Sequence, residues 1–184
     1  VGSIGAGPGG LSMAIRLRQS GFDDLVLLEK GDGVGGTWYH NRYPGCAGDI
    51  QSHLYSFSFE IKRDWSRPCA PQPEILGYME HLAQKYELLP HCRFGSAVRS
   101  AAWDEDRAGW TIALESGASV EADVVVSAVG MFNEIVWPEI EGLESFAGKR
   151  IHSARWDWDH DLSGERVAVI GSAASAVRSE EHTA

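Results

Sequence analysis

Gly5, Gly7 and Gly10 stand in GxGxxG spacing, and Glu29 follows 19 residues after the third glycine. This spacing suits a dinucleotide. The first glycine permits a tight turn, the second lets backbone approach a pyrophosphate, and the third brings a helix close to a strand. A helix opening in that turn offers N–H groups and partial positive charge to the phosphates. Glu29 would accept hydrogen bonds from free ribose hydroxyls and repel a 2′-phosphate, so FAD or NAD suits this first site and NADP does not.

A second version of the turn lies at Gly171-Ser172-Ala173-Ala174-Ser175-Ala176. Alanine is tolerated in the last position, whereas the Ala173 methyl crowds a backbone that should approach a pyrophosphate. Other chemistry is poorly supplied. A redox-active Cys46 would need a partner a few residues on, but the next cysteine is Cys69, so Cys46 reads as a loop residue near the cofactor. His40, His53, His81 and His91 have no metal-ligand spacing, and no metal is expected. No GxSxG nucleophile signature occurs.

The glycine turns require strands before them and helices after them. Val1 to Ile4 predicts a strand, Leu11 to Gln19 a helix stopped by Gly21, and Leu25 to Leu28 a buried parallel strand closed by Glu29. Gly31 to Gly48 reads as an ordered functional loop, and helical spacing predicts a helix from about Pro73 to Leu88. Residues 97–114 predict an antiparallel hairpin, and Val124 to Val129 a buried strand ending at Gly130. Phe132 to Asp161 reads as a connecting segment with a solvated acidic surface. Arg166 to Ile170 predicts a strand leading into the second turn.

The chain has 184 residues, of which 43% are hydrophobic and 23% charged, a soluble globular profile. Its formal charge of -10 leaves no basic footprint for nucleic acid or anionic lipid. Three scattered cysteines point to a reducing, cytoplasmic compartment, and no apolar run is long enough for a membrane span. Both ends read as cut. Arg178 to Ala184 breaks from the preceding pattern and resembles a translated sequencing adapter, so 178–184 is expected to be a non-native tail.

Gly35 to Gly45 and on to Asp49, with Ser52 to Glu60, resemble characteristic blocks of the Baeyer–Villiger monooxygenases, a branch of the class B flavin-containing monooxygenases. Phe146, Gly148, His152, Trp156 and Asp157 reproduce the FxGxxxHxxxW(P/D) fingerprint that separates these enzymes from their relatives. The resemblance runs from Val1 to Val177 and implies roughly the N-terminal third of a protein of several hundred residues. It implies an α/β Rossmann-like FAD-binding domain over 1–145, with a hairpin insertion at 97–114. A linker would span 146–164, and a second, NADPH-binding Rossmann domain would begin at 165–177.

By the same resemblance Gly5, Gly7, Pro8, Gly10, Glu29, Lys30, Gly36, Thr37, Trp38 and Gly130 would hold FAD. Asp49 would lie near the flavin and orient a catalytic arginine from beyond this segment. Gly171, Ser172, Ala173, Ser175 and Ala176 would face NADPH, and His152 and Trp156 would govern domain movement. The implied reaction uses NADPH, O₂ and a C4a-peroxyflavin to convert a ketone to an ester or lactone. Oxygenation of nitrogen or sulfur by the same means is the alternative, and a nucleotide-binding segment without turnover is another.

Overall fold

Apolar triplets flanking a glycine turn form the first elements. The computed structural model describes residues 1–183. Strand β1 (Gly2–Ile4) enters the turn, and helix α1 (Pro8–Gln19) leaves it with proline in its first turn, where a missing N–H costs nothing. Leu11, Ala14 and Ile15 bury one face of α1, while Arg16 and Arg18 complement its C-terminal carbonyls. Gly21, at φ +85°, reverses the chain. Strand β2 (Val26–Leu28) then pairs parallel to β1, with Gly2 opposite Val26 and Ile4 opposite Leu28.

Helix α2 (Thr37–His40) is a single turn, and α3 (Gln72–Lys85) buries Ile75, Tyr78, Met79, Leu82 and Ala83 as one stripe. Next come β3 (Cys92–Arg93), β4 (Val98–Asp104), β5 (Gly109–Leu114), β6 (Ser119–Ala122) and β7 (Val125–Ser127). A final helix, α4, spans Ala174–Thr183. The parallel sheet runs β3-β2-β1-β7, and β4-β5-β6 form a separate antiparallel sheet. Parallel strands joined through a helix make the expected Rossmann-like α/β arrangement.

Two compact units result: Val1–Tyr39 with Ile75–Met131, and His40–Glu74 with the residues from Phe132 onward. In the first unit Leu28, Ile112, Leu114 and Ala122 form a core cluster joining the two sheets, with Val26, Val98, Val120 and Val125 packed against it. A side chain on Gly2 would stand 2.8 Å from Ile112 Cδ1, so β1 begins with glycine where the sheets approach. Leu11, Ile15, Leu27, Ile75, Met79 and Leu82 are fully buried, each stabilising by about 1.5–3 kcal/mol relative to exposure.

Three features depart from the sequence reading. Arg166 to Ile170 forms no strand: no described segment pairs with it, and Val167 and Ile170 stand 49% and 62% exposed. A strand exists through its ladder partners, which these residues lack among those described. Val124 and Val129 are about half exposed rather than buried, because both flank β7 (Val125–Ser127) instead of lying in its ladder. Strands β3 and β6 had no sequence signal.

Candidate functional site

The glycine turn is held from three sides. Gly5 has φ +101°, and a side chain there would fall 2.6 Å from the Ala128 carbonyl oxygen near the end of β7. A methyl on Gly10 would fall 2.0 Å from the Gly5 carbonyl oxygen, so the third glycine closes α1 onto the turn. Gly7 meets Gly36: a methyl on Gly7 would lie 3.3 Å from Gly36 Cα, and one on Gly36 would lie 2.8 Å from Gly7 Cα. The Gly35 N–H donates to the Ala6 carbonyl at 3.0 Å, joining the two glycine segments into one backbone cradle.

Glu29 fastens this cradle from the end of β2. Its Oε2 accepts the Ala6 N–H and its Oε1 accepts the Gly31 N–H, both at 2.8 Å. The carboxylate is 4% exposed, and two amide donors offset the cost of burying it. A carboxylate has about four acceptor positions and so can serve ribose hydroxyls as well as amides. The N-terminus of α1 has no side-chain cap and no acidic residue in its first turn, leaving its positive end to an anion. A cradle that side chains would fill, an uncapped helix start and a buried acceptor fit a dinucleotide.

The remaining residues of the expected first site lie in the same unit. Trp38 is buried in α2, whose start is set by Trp38 N–H to Gly35 O and Tyr39 N–H to Gly36 O. Thr37 and Lys30 are partly buried and exposed respectively, Pro8 opens α1, and Gly130 turns the chain at φ +73° after β7. Cys92, in β3, has its thiol pushed up to about 11 by burial and then by the Glu29 charge.

The second unit holds Asp49, the fingerprint and the second turn. Asp49 Oδ1 lies 3.1 Å from Arg178 Nη2, and the Asp49 side chain is 66% exposed. Arg178 also donates to the Ala47 and Gly48 carbonyls. Gly171, at φ +136°, opens the second turn, and a methyl there would meet Ala176 Cβ at 3.4 Å, an ordinary contact. Ser172 and Ala173 precede α4, and Ser175 lies in its first turn.

Within the fingerprint, the Phe146 ring lies over Gly148, whose missing side chain would be 2.7 Å from the ring. His152 Nδ1 accepts the Ala154 N–H at 3.1 Å. Its ring meets Trp137 edge-on at 5.5 Å between centroids. Trp156 tilts against Trp158 at 6.3 Å. The Lys149 ammonium holds the Asp157 carboxyl below its ordinary pKa.

Sequence reasoning missed Tyr43. Its hydroxyl accepts the Ser175 Oγ–H at 3.2 Å across 132 residues, and it neighbours the buried Cys46 thiol. Burial raises the pKa of both the phenol and the thiol. Nothing in local spacing could pair residues so far apart.

Residues 3–180 match the family described as pyridine nucleotide-disulphide oxidoreductase. A Baeyer–Villiger monooxygenase of Streptomyces coelicolor is 51% identical over 178 residues, 97% of this chain and 34% of the relative. The ε-caprolactone-bound cyclohexanone monooxygenase structure, in its loose conformation, superposes with TM-score 0.91 at 38% identity. That match covers 98% of this chain and 36% of the other. The OTEMO complex with FAD and NADP gives TM-score 0.90 at 34% identity, covering 99% and 36%. The chain thus spans about a third of the length of these proteins.

Proposed function

This chain belongs to the pyridine nucleotide-disulphide oxidoreductase family, and on that premise we propose that it forms the flavin-binding part of an FAD- and NADPH-dependent monooxygenase of the Baeyer–Villiger type. The observation that carries this reading is the cradle of Gly5, Gly7, Gly10 and Gly36, closed by the two amide hydrogen bonds of Glu29. Despite the family's description, a disulfide reaction is not proposed: Cys46 has no second cysteine within a few residues, the next being Cys69.

In this reading Gly5, Gly7, Pro8 and Gly10 leave room for the FAD pyrophosphate at the start of α1. Glu29 accepts the ribose hydroxyls, with Lys30 beside it, while Gly36, Thr37, Trp38 and Gly130 border the remainder. Bound FAD supplies O₂ activation and oxygen transfer to a ketone, giving an ester or lactone. Asp49 acts through its charge, orienting a cation toward the reacting carbonyl. Gly171, Ser172, Ala173, Ser175 and Ala176 receive NADPH, and His152 and Trp156 govern domain movement. The substrate is a small organic molecule rather than nucleic acid, consistent with a net charge of -10. Among the described residues no helix is long and apolar enough to cross a membrane, and the unpaired cysteines support a cytoplasmic setting.

The test is NADPH oxidation by the full-length protein with ketone and thioether panels. Ketone-stimulated oxidation with ester or lactone product supports the proposal. Thioether or amine oxygenation alone would replace it with nitrogen or sulfur oxygenation, and a yellow protein that oxidises no NADPH would contradict it.

A further inference from the structure

The Tyr43 hydroxyl joins two segments of the second unit that carry different parts of the proposed chemistry. On one side stands Ser175, in the first turn of α4 at the second glycine turn. On the other stands the loop that runs through Pro44, Gly45 and Cys46 to Asp49. Tyr43 is 8% exposed, so its ring is held rather than free to swing. Three backbone hydrogen bonds stiffen this loop: Cys46 N–H to Tyr43 O at 3.1 Å, Gln72 N–H to Cys46 O at 2.8 Å and Gly48 N–H to Ala70 O at 2.9 Å. Asp49 emerges at the exposed end of the stiffened segment, where its ion partner Arg178 belongs to the 178–184 stretch that the sequence reading sets apart; Tyr43–Ser175 is a tie between this loop and α4 that lies wholly within 1–177.

We propose that Tyr43 is a positioning residue: through Ser175 it ties the second nucleotide site to the Asp49 loop, so that a nucleotide at 171–176 orders residues 43–49. This inference rests on the NADPH reading above. A phosphate against the start of α4 restrains the turn containing Ser175. The Ser175 hydroxyl points to Tyr43, so that restraint passes to the phenol and along the stiffened loop. A neutral phenol can accept from Ser175 while donating to a second group, and burial keeps it neutral well past physiological pH.

Amide hydrogen exchange on the full-length protein, with and without NADP⁺, tests this through two separate segments. The expected wild-type result is slower exchange both at 171–177 and at 43–49. Tyr43→Phe keeps the ring and removes the hydroxyl. In this variant protection at 171–177 persists, while that at 43–49 falls by about fivefold or more. Ser175→Ala, which breaks the same bond from its other end, likewise loses the response at 43–49. Equal protection of 43–49 in wild type and Tyr43→Phe would overturn the link, as would an unresponsive 43–49 in wild type with 171–177 protected. Failure of NADP⁺ to protect 171–177 in wild type would instead overturn the NADPH reading, and the link with it.

Discussion

Gly7 and Gly36 meet backbone to backbone, with 2.8 Å between Gly7 Cα and the place a Gly36 side chain would occupy. The two glycine segments therefore form one surface before any cofactor is added. Gly36→Ala must both push Gly7 away and hold alanine at φ +55°, a backbone region costing about 1–2 kcal/mol outside glycine. Flavin content of the purified full-length protein, read from its absorbance ratio, should fall by about tenfold or more. Gly7→Ala, whose methyl would press on Gly36 Cα at 3.3 Å but at an ordinary negative φ of -75°, should do less damage.

Glu29 accepts two backbone amides with one carboxylate. Glu29→Gln preserves the size but turns an NH₂ toward one of those N–H groups. One buried donor then loses its partner, at a cost of about 1–3 kcal/mol. FAD titration of the apoprotein should show binding weakened by about tenfold to a hundredfold.

The strand–turn–helix–strand of β1, α1 and β2 is legible because its glycine spacing and apolar runs are local signals. Glu29 is legible as the carboxylate that closes β2 for the same reason, but its bonds to Ala6 and Gly31 require the folded turn. Cys92–Arg93 is too short to display a period, and Ser119–Ala122 becomes a strand by pairing with β5. Conversely, Arg166 to Ile170 has strand composition without a partner among the described residues, and composition alone does not make a ladder. The approach of Gly7 to Gly36 and of Tyr43 to Ser175 joins segments distant in sequence, which spacing within either segment cannot report.

Ser3 is 4% exposed in β1, and its hydroxyl has no hydrogen-bond partner among the described residues. Ser3→Ala removes that orphan without adding volume next to Gly10. The full-length protein should gain about 1 kcal/mol of stability, seen as a higher thermal midpoint with flavin content retained.

Thiol labelling should follow burial. Cys69 is partly exposed, whereas Cys46 is buried and its thiol is raised by desolvation. Cys92 is raised from 9.0 to about 11, first by burial and then by Glu29. Because the folded state disfavours the Cys92 thiolate, the associated stability is intact below pH 9.0 and declines as pH rises toward about 11. Mass-resolved alkylation near neutrality should modify Cys69 first, with Cys92 reacting only as the pH approaches that higher range.

The most direct measurement supplies ¹⁸O₂ and NADPH to the full-length flavin-loaded protein with a cyclic ketone, followed by mass analysis of the product. The account predicts a lactone carrying one labelled oxygen atom, formed in step with NADPH consumption. NADPH consumption that yields only hydrogen peroxide, or a product without label, would contradict it.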